Sequence, residues 1–319
     1  MARYVTQRLL LAALTIWLVS IIVFTLLRVV VPIFYGDAVD VIAAEYSHSD
    51  PARAEALREE YGLSGNLVVS YLEWAGNMAR GNLGESLFNG RPITKEMHDR
   101  LPVSVELGVI GLLSGLLFSV PLGVAAAVAQ DRWPDYFLRT FAILLNSLPG
   151  FWLAILIITF GNKWFNWAPP LNFAYLTEDP VAHLKIMLLP ALLIGLTPSA
   201  GLVRLVRTQM LEVLRQDYIR TAHAKGLSDR TVIIRHALRN SLIPVVTVVG
   251  LTLPTLIAGT AIFESIFTLP GMGRYLVSSV SSLDYPVIMG TVFVFSVIIV
   301  LANLAVDLSY TVLDPRIRY

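Results

Sequence analysis

Residues Leu9–Leu27 read LLLAALTIWLVSIIVFTLL, a run with no charged side chain. As a helix rising about 1.5 Å per residue it nearly covers the roughly 30 Å hydrocarbon core of a bilayer. Five further runs are of similar length with nearly uncharged centres: Val103–Val128, Phe137–Phe160, Ile186–Val206, Leu242–Phe263 and Val287–Val306. Their charges, Arg28, Glu106, Arg139, Arg204 and Arg207, gather at the span ends, where long side chains reach the interface. None of the runs alternates with period two, and every amide in lipid must be satisfied internally, so helices are expected and a barrel is not. The predicted fold is an all-α membrane protein with six transmembrane helices.

Composition agrees. Of 319 residues 55% are hydrophobic and 15% charged, against roughly 25% charged in soluble domains. The net charge of +1 offers nothing to nucleic acid, and the absence of cysteine excludes disulfides, thiolate metal sites and a cysteine nucleophile. Arg3 and Arg8 ahead of an apolar run imitate a signal peptide. The run is longer than a usual h-region and lacks a small-x-small site after it, so an uncleaved first helix is expected.

Lys and Arg in the short loops orient the chain. Residues 204–241 hold Arg204, Arg207, Arg215, Arg220, Lys225, Arg230, Arg235 and Arg239, whereas 161–183 hold only Lys163 and 264–286 only Arg274. The first segment is therefore cytoplasmic and the other two external. Counting spans back and forward places both termini inside, in agreement with Arg3, Arg8, Arg316 and Arg318. The expected organisation is a single transmembrane domain over residues 1–319, with an external insertion at 32–101 after the first helix and a cytoplasmic loop at 204–241.

Within the insertion, Pro51–Tyr61 (PARAEALREEY) reads as a short soluble helix. Leu67–Met78 (LVVSYLEWAGNM) reads as an amphipathic one suited to the membrane surface through Tyr71, Leu72 and Trp74. Its carboxylates, among them Glu45, Glu55, Glu73 and Glu96, are spread as on a solvated face. Pro121, Pro149, Pro190, Pro198, Pro244 and Pro254 sit inside or beside spans; they are either tolerated kinks or marks of a path that opens and closes.

The cytoplasmic stretch Gln216–Pro244, QDYIRTAHAKGLSDRTVIIRHALRNSLIP, has the grammar of two helices. Asp217–Lys225 forms the first, Gly226 supplies its φ > 0 terminator, and Ser228 caps a second reaching Asn240. Thr221, Ala222 and Ala224 are small, with Tyr218 and Leu227 available as anchors: either a surface that seats in a partner's groove or a solvated loop that sets topology.

This loop resembles that of importer-type ABC permeases, in particular the first (B-type) permease of the dipeptide, oligopeptide and nickel family. Gly226 aligns with the glycine of that class's Glu-Ala-Ala-x-x-x-Gly pattern, and Arg220, Thr221 and Ala222 fall on its first three positions, of which only Ala222 matches. His236, Ala237, Leu238 and Arg239 replace a usual Ile-x-Leu-Pro. GLSGNLVVSYLEWAGNMARGNLGESL, RLPVSVELGVIG, SLPGFWLAI, LPGMGRYLVSSVSSLDYPVIMG and the final DPRIR carry the likeness over nearly the whole chain. A Pro-Gly-Asp-Pro expected after the first helix reads PIFYGDAVD, with Pro32 and Asp37 spaced apart.

The resemblance implies a type I ABC importer-like permease in a prokaryotic cell membrane. It implies a second (C-type) permease subunit, two cytoplasmic ATPase subunits that bind ATP and Mg, and an external solute-binding protein that delivers peptides. Tyr218, Arg220, Thr221, Ala222, Ala224, Gly226 and Leu227 would then form the ATPase-coupling segment. No G-x-x-x-x-G-K-[ST] loop occurs, so ATP hydrolysis is not expected in this chain. Gly271-Met272-Gly273-Arg274 reads as an external turn. His48, His98, His183, His223 and His236 are scattered, so no metal or other cofactor is expected. Polar residues inside apolar spans, Asn146, Ser147 beside Pro149, Thr197, Ser199, Thr252, Thr255 and Asn303, are candidates for the solute path or for hydrogen bonds between helices. The alternative reading is an ion-coupled secondary transporter, which would need ionisable groups near the midplane that these spans lack.

Overall fold

A computed structural model describes residues 2–35 and 65–313, and they are helical almost throughout. Helix α1 (Ala2–Thr25) passes through a π-helical turn (Leu26–Val30) into α2 (Val31–Tyr35). There follow α3 (Leu67–Ala79), α4 (Ile93–Val128), α5 (Trp133–Ser147), α6 (Gly150–Phe165), α7 (Pro180–Leu214) and α8 (Asp217–Ala224). A short α9 (Asp229–Thr231) runs through a second π-helical stretch (Val232–Leu238) into α10 (Arg239–Ile266), and α11 (Met272–Ser282) and α12 (Tyr285–Leu313) complete the described elements. Among the described residues five helices are long and apolar enough to cross a membrane, or six if the bent pair α5–α6 counts as one. The Pro51–Tyr61 helix and Asp37 lie outside the described residues.

The third expected span, Phe137–Phe160, is not one straight helix. The α5 and α6 axes meet at 86°. Pro149 has no amide proton to donate, and its ring drives the preceding residue out of the helical region. Leu148 is accordingly extended (φ −99, ψ 123), and Pro149 (φ −59, ψ 129) starts the next helix.

The described residues form two compact units. The first comprises the chain up to Pro102 and from Gly271 onward. Here α1 lies along α12, and Val23, Phe24 and Met289 form a core with Tyr71 and Trp74 of α3. The Tyr71 ring meets Phe24 edge-on at 5.5 Å, Trp74 meets Phe293 at 5.7 Å, and the Tyr71 hydroxyl shares a 2.8 Å hydrogen bond with Ser20. Tyr71 and Trp74, expected to face the membrane surface, instead pack α3 onto α1 and α12; Leu67, Val68, Val69 and Leu72 are exposed apolar residues of this helix. The same periodicity serves either surface, and aromatic partners on α1 and α12 decide it. The Asn66 side chain accepts the Val68 amide to cap α3.

Gly271-Met272-Gly273-Arg274 is the start of α11 and not a turn: Gly271 is its N-cap, and Met272 and Gly273 are buried. Between α11 and α12 the buried Asp284 carboxylate accepts from the Ser86 hydroxyl at 2.6 Å and the Leu87 amide at 3.3 Å. The Arg100 guanidinium covers the Tyr275 ring at 4.7 Å. Burial pushes the Tyr275 phenol up to about 12, and the nearby charges of Glu96 and Asp284 add to the rise.

The second unit, Val103–Pro270, is organised by α7. Ile186, Met187, Ala191, Leu193 and Ile194 of α7 pack with Val103 and Leu107 of α4, Ala154 of α6 and Phe263 of α10. The backbones of α4 and α7 come very close: a Cβ on Gly195 would collide with the Gly111 carbonyl and the Ser114 hydroxyl, and one on Gly115 would sit 2.8 Å from the Gly195 carbonyl. Small residues permit this approach, which gives van der Waals contact where lipid supplies no hydrophobic drive. The buried Ser114 hydroxyl donates across the contact to the Ala191 carbonyl at 3.2 Å. Pro190 and Pro198 both sit inside α7, which continues through them.

Replacing Gly195 with Ala should overpack this contact. The expected cost is about 1–3 kcal/mol, read as a lower melting temperature of the detergent-purified subunit; an unchanged melting curve would show that the two helices have room to separate.

Candidate functional site

The basic segment that follows α7 begins at Arg215. Helix α8 exposes Tyr218 (44%), Arg220, Thr221 and Ala224, and beyond it Leu227 (39%). Its other face carries Ile219 and Ala222, which pack with Val206 and Met210 of α7 and with Val232 and Ala237. Ala222, only 7% exposed, thus faces inward, so its small side chain lets α8 sit close to the bundle and is not part of the outer surface.

Gly226 adopts φ +81. The Leu227 amide donates to the Ala222 carbonyl at 3.3 Å and the Gly226 amide to the His223 carbonyl at 2.9 Å. These are the two bonds of a Schellman motif, which needs a left-handed residue where glycine is least strained. The Ser228 side chain does not cap the next helix as expected: its hydroxyl pairs with that of Thr231 at 3.0 Å. Nor does that helix end at Asn240. It continues through the π-helical stretch into α10 as far as Ile266, because apolar Val232, Ala237 and Val245, with the small Ser241 among them, stay buried across the expected boundary. Bonding from i to i+5 widens the turn and brings Val232 and Ala237, five positions apart, onto one buried face. Asn240 donates to the Tyr218 hydroxyl at 2.9 Å, joining this helix to α8.

The path candidates divide between the units. Asn146, Ser147 and Pro149 are exposed together at the α5–α6 elbow, with the Ser147 hydroxyl donating to the Ile143 carbonyl at 2.9 Å. Gly150, beside them, packs against α7 and α10: a Cβ there would stand 2.8 Å from the Thr197 hydroxyl and 3.1 Å from Phe263. The Thr252 hydroxyl donates to the Val249 carbonyl and the Ser199 hydroxyl to the Gly195 carbonyl, bonds within their own helices. The side chain of Thr255 lies outside the described residues. Asn303 belongs to the other unit, where it lines a cleft of about 170 Å³ with Arg8, Thr15 and Asp307; Arg8 and Asp307 pair at 3.0 Å.

Three polar clusters escaped the sequence reading. Asp135 of α5, fully buried, takes a two-pronged ion pair from Arg207 of α7, Nε to Oδ1 at 2.7 Å and Nη2 to Oδ2 at 2.6 Å. It also accepts the Asp131 amide at 3.1 Å. Buried His183 places Nε2 2.7 Å from a Glu106 oxygen and Nδ1 2.8 Å from the Ala174 carbonyl. Fully buried Glu264 accepts hydroxyls from Ser104 at 2.7 Å and Thr260 at 2.6 Å. The Thr260–Glu264 spacing of i, i+4 was a readable signal; the partners on other helices were not. Among the described residues no group of three His, Asp or Glu converges to hold a metal ion.

Losing one partner of the Asp135–Arg207 pair strands the other charge. Asp135→Asn should cost about 3–5 kcal/mol in thermal unfolding of the purified subunit, and replacing both partners by Leu and Met should cost less than either single change. Additive losses would deny that the two charges depend on each other.

Comparison with known proteins gives this arrangement a family. The model of the binding-protein-dependent transport system inner membrane component matches residues 119–319. The di/tripeptide transport system permease protein DppB of Pseudomonas aeruginosa (strain UCBPP-PA14) is 36% identical, with 100% of this chain and 99% of that one covered. The dipeptide transport system permease protein DppB of Escherichia coli (strain K12) is 38% identical over 89% and 90%. The oligopeptide transport system permease protein AppB of Bacillus subtilis (strain 168) is 38% identical over 85% and 88%. In fold, the chain is similar to one in a structure of the inward-facing MetNI methionine ABC transporter, with a TM-score of 0.52 at 16% identity, covering 68% of this chain and 95% of that one. A multi-pass cell-membrane chain with a type I ABC permease-like fold, it belongs to the family of binding-protein-dependent transport system inner membrane components.

Proposed function

We propose that this chain is the B-type permease subunit of an ATP-driven importer of short peptides. A second, C-type permease would complete the path, two cytoplasmic ATPases would bind ATP and Mg and do the hydrolysis, and an external binding protein would deliver the peptide. The substrate class is supported by the names of relatives aligned along most of the chain. The observation that carries the mechanism is α8: a short helix with Tyr218 and Leu227 exposed, closed by a Schellman motif and seated on α7 and α10 through Ile219 and Ala222.

Docked in an ATPase groove, Tyr218, Arg220, Thr221, Ala224 and Leu227 would follow that subunit as ATP draws the two ATPases together. Ile219 and Ala222 would carry the displacement into the bundle. Nucleotide then biases a two-state bundle by binding one state better than the other. Asn146, Ser147 and Pro149 at the α5–α6 elbow, with Thr252, Thr255 and Asn303, remain the proposed path residues.

The first test is purification of the tagged chain from its native membranes in mild detergent. A second permease and ATPases should accompany it; a chain that emerges alone and transports peptides without ATP would instead be an ion-coupled carrier. Leu227→Asp should then lower stimulated ATP hydrolysis at least about tenfold through loss of a buried anchor while the permease pair still assembles, and full hydrolysis would remove Leu227 from the interface. Gly226→Val should impair coupling because a β-branched residue resists φ +81, whereas Gly226→Asn should retain most of it. Asn146→Leu should slow uptake with assembly intact, and unaltered uptake kinetics would take the elbow out of the path.

A further inference from the structure

The first unit contains a cleft of about 320 Å³, within the range of small-ligand sites. It lies between the far end of α1 and the helix α3, on the side that the Lys and Arg distribution assigns to the exterior. Ser70, Glu73, Trp74 and Asn77 of α3 line one wall. Their i, i+3, i+4, i+7 spacing puts them on one helical face. Phe24 of α1 and Arg28, just beyond it, line the cleft as well.

Arg28 sits in the middle of the π-helical turn Leu26–Val30, where the Val31 amide reaches back to the Leu26 carbonyl. Such turns are rare, interrupt the regular ladder and recur at functional sites. This one lies at the point of α1 that lines the cleft. Arg28 is partly buried. Glu73 is exposed and makes no ion pair among the described residues. Trp74 is held by Phe24 at 5.7 Å and by Phe293 at 5.7 Å, so its ring is a fixed apolar surface in the cleft that the two charged residues also line.

We infer that this cleft binds a small zwitterion, its ammonium at Glu73, its anionic group at Arg28 and its apolar portion on Trp74. Arg presents several donors to a carboxylate or phosphate, and a carboxylate beside an indole face receives an ammonium well. Two sources share this chemistry. One is a short peptide with free ends, which rests on the importer reading above. The other is the headgroup of an ethanolamine phospholipid.

The test uses the assembled importer, purified without its binding protein and placed in phosphatidylcholine nanodiscs. Calorimetry follows titration with alanyl-leucine, with N-acetyl-alanyl-leucine amide and with glycerophosphoethanolamine. Saturable binding of alanyl-leucine and none of the capped form is expected for a peptide site; binding of glycerophosphoethanolamine alone assigns the same cleft to the headgroup. Glu73→Gln and Arg28→Gln should each weaken binding at least about tenfold, the scale of one charged hydrogen bond. Leu72→Ala, on the exposed face of α3, should not change it. Glu73→Gln decides the matter if Arg28→Gln does not assemble, because Glu73 is exposed and supports no packing. The inference is overturned if neither zwitterion saturates the complex, if the capped dipeptide binds equally well, or if binding survives Glu73→Gln unchanged. Uptake of labelled alanyl-leucine by the wild-type importer with its binding protein keeps the two readings apart: uptake without binding overturns the cleft alone. Absence of uptake overturns the peptide reading, and the glycerophosphoethanolamine titration then decides the cleft.

Discussion

The contact between α4 and α7 rests on glycine. Gly111 and Gly115 meet Gly195 with no Cβ on either side, and the serine hydroxyl of Ser114 closes a bond across the gap. In lipid, helices gain nothing by hiding apolar surface from each other, so close backbone approach and interhelical hydrogen bonds must hold them. The rest of the second unit builds on this pair. Once α7 is held there, its opposite faces receive α5 through Asp135 and Arg207, and α6 and α10 through Ala154 and Phe263. The C-terminal end of α7 carries the core on which α8 rests.

The polar residues of this unit follow the same economy. Asp135, Glu264 and His183 are buried, and each finds partners on a neighbouring helix or loop. An unpaired charge there would cost several kcal/mol. A search for such charges in isolated spans overlooks them, since Asp135 lies at the start of α5 and Glu264 at the end of α10. They hold helix ends in place, where the membrane is least able to enforce order.

Much of this was legible in the sequence because lipid imposes a simple grammar. Uninterrupted apolar runs became helices, and Pro149 marked the sharpest break. Gly226 announced the end of α8. What stayed hidden depends on contacts distant in the chain. Arg207 and Asp135 lie 72 positions apart, and nothing near either one announces the other. Tyr71 and Trp74 gave α3 an amphipathic face that would suit lipid as well as protein, and only Phe24 and Phe293 decided between them. Ala222 looked like part of an outer surface because it is small, yet it lies three residues from buried Ile219 and shares its face. The π-helical turns leave no residue signature that pattern reading detects.

The helix that follows α8 has a mechanical corollary. From Asp229 to Ile266 the backbone is helical without a loop, about 57 Å at 1.5 Å per residue. Helix α8 is fastened to its base by the Tyr218–Asn240 hydrogen bond and by the core around Val232. At its tip Glu264 takes the Ser104 hydroxyl. If α8 is displaced as proposed above, this helix would serve as a pushrod: with no loop between them, a shift at its α8 end would reach the Glu264–Ser104 hydrogen bond at the other.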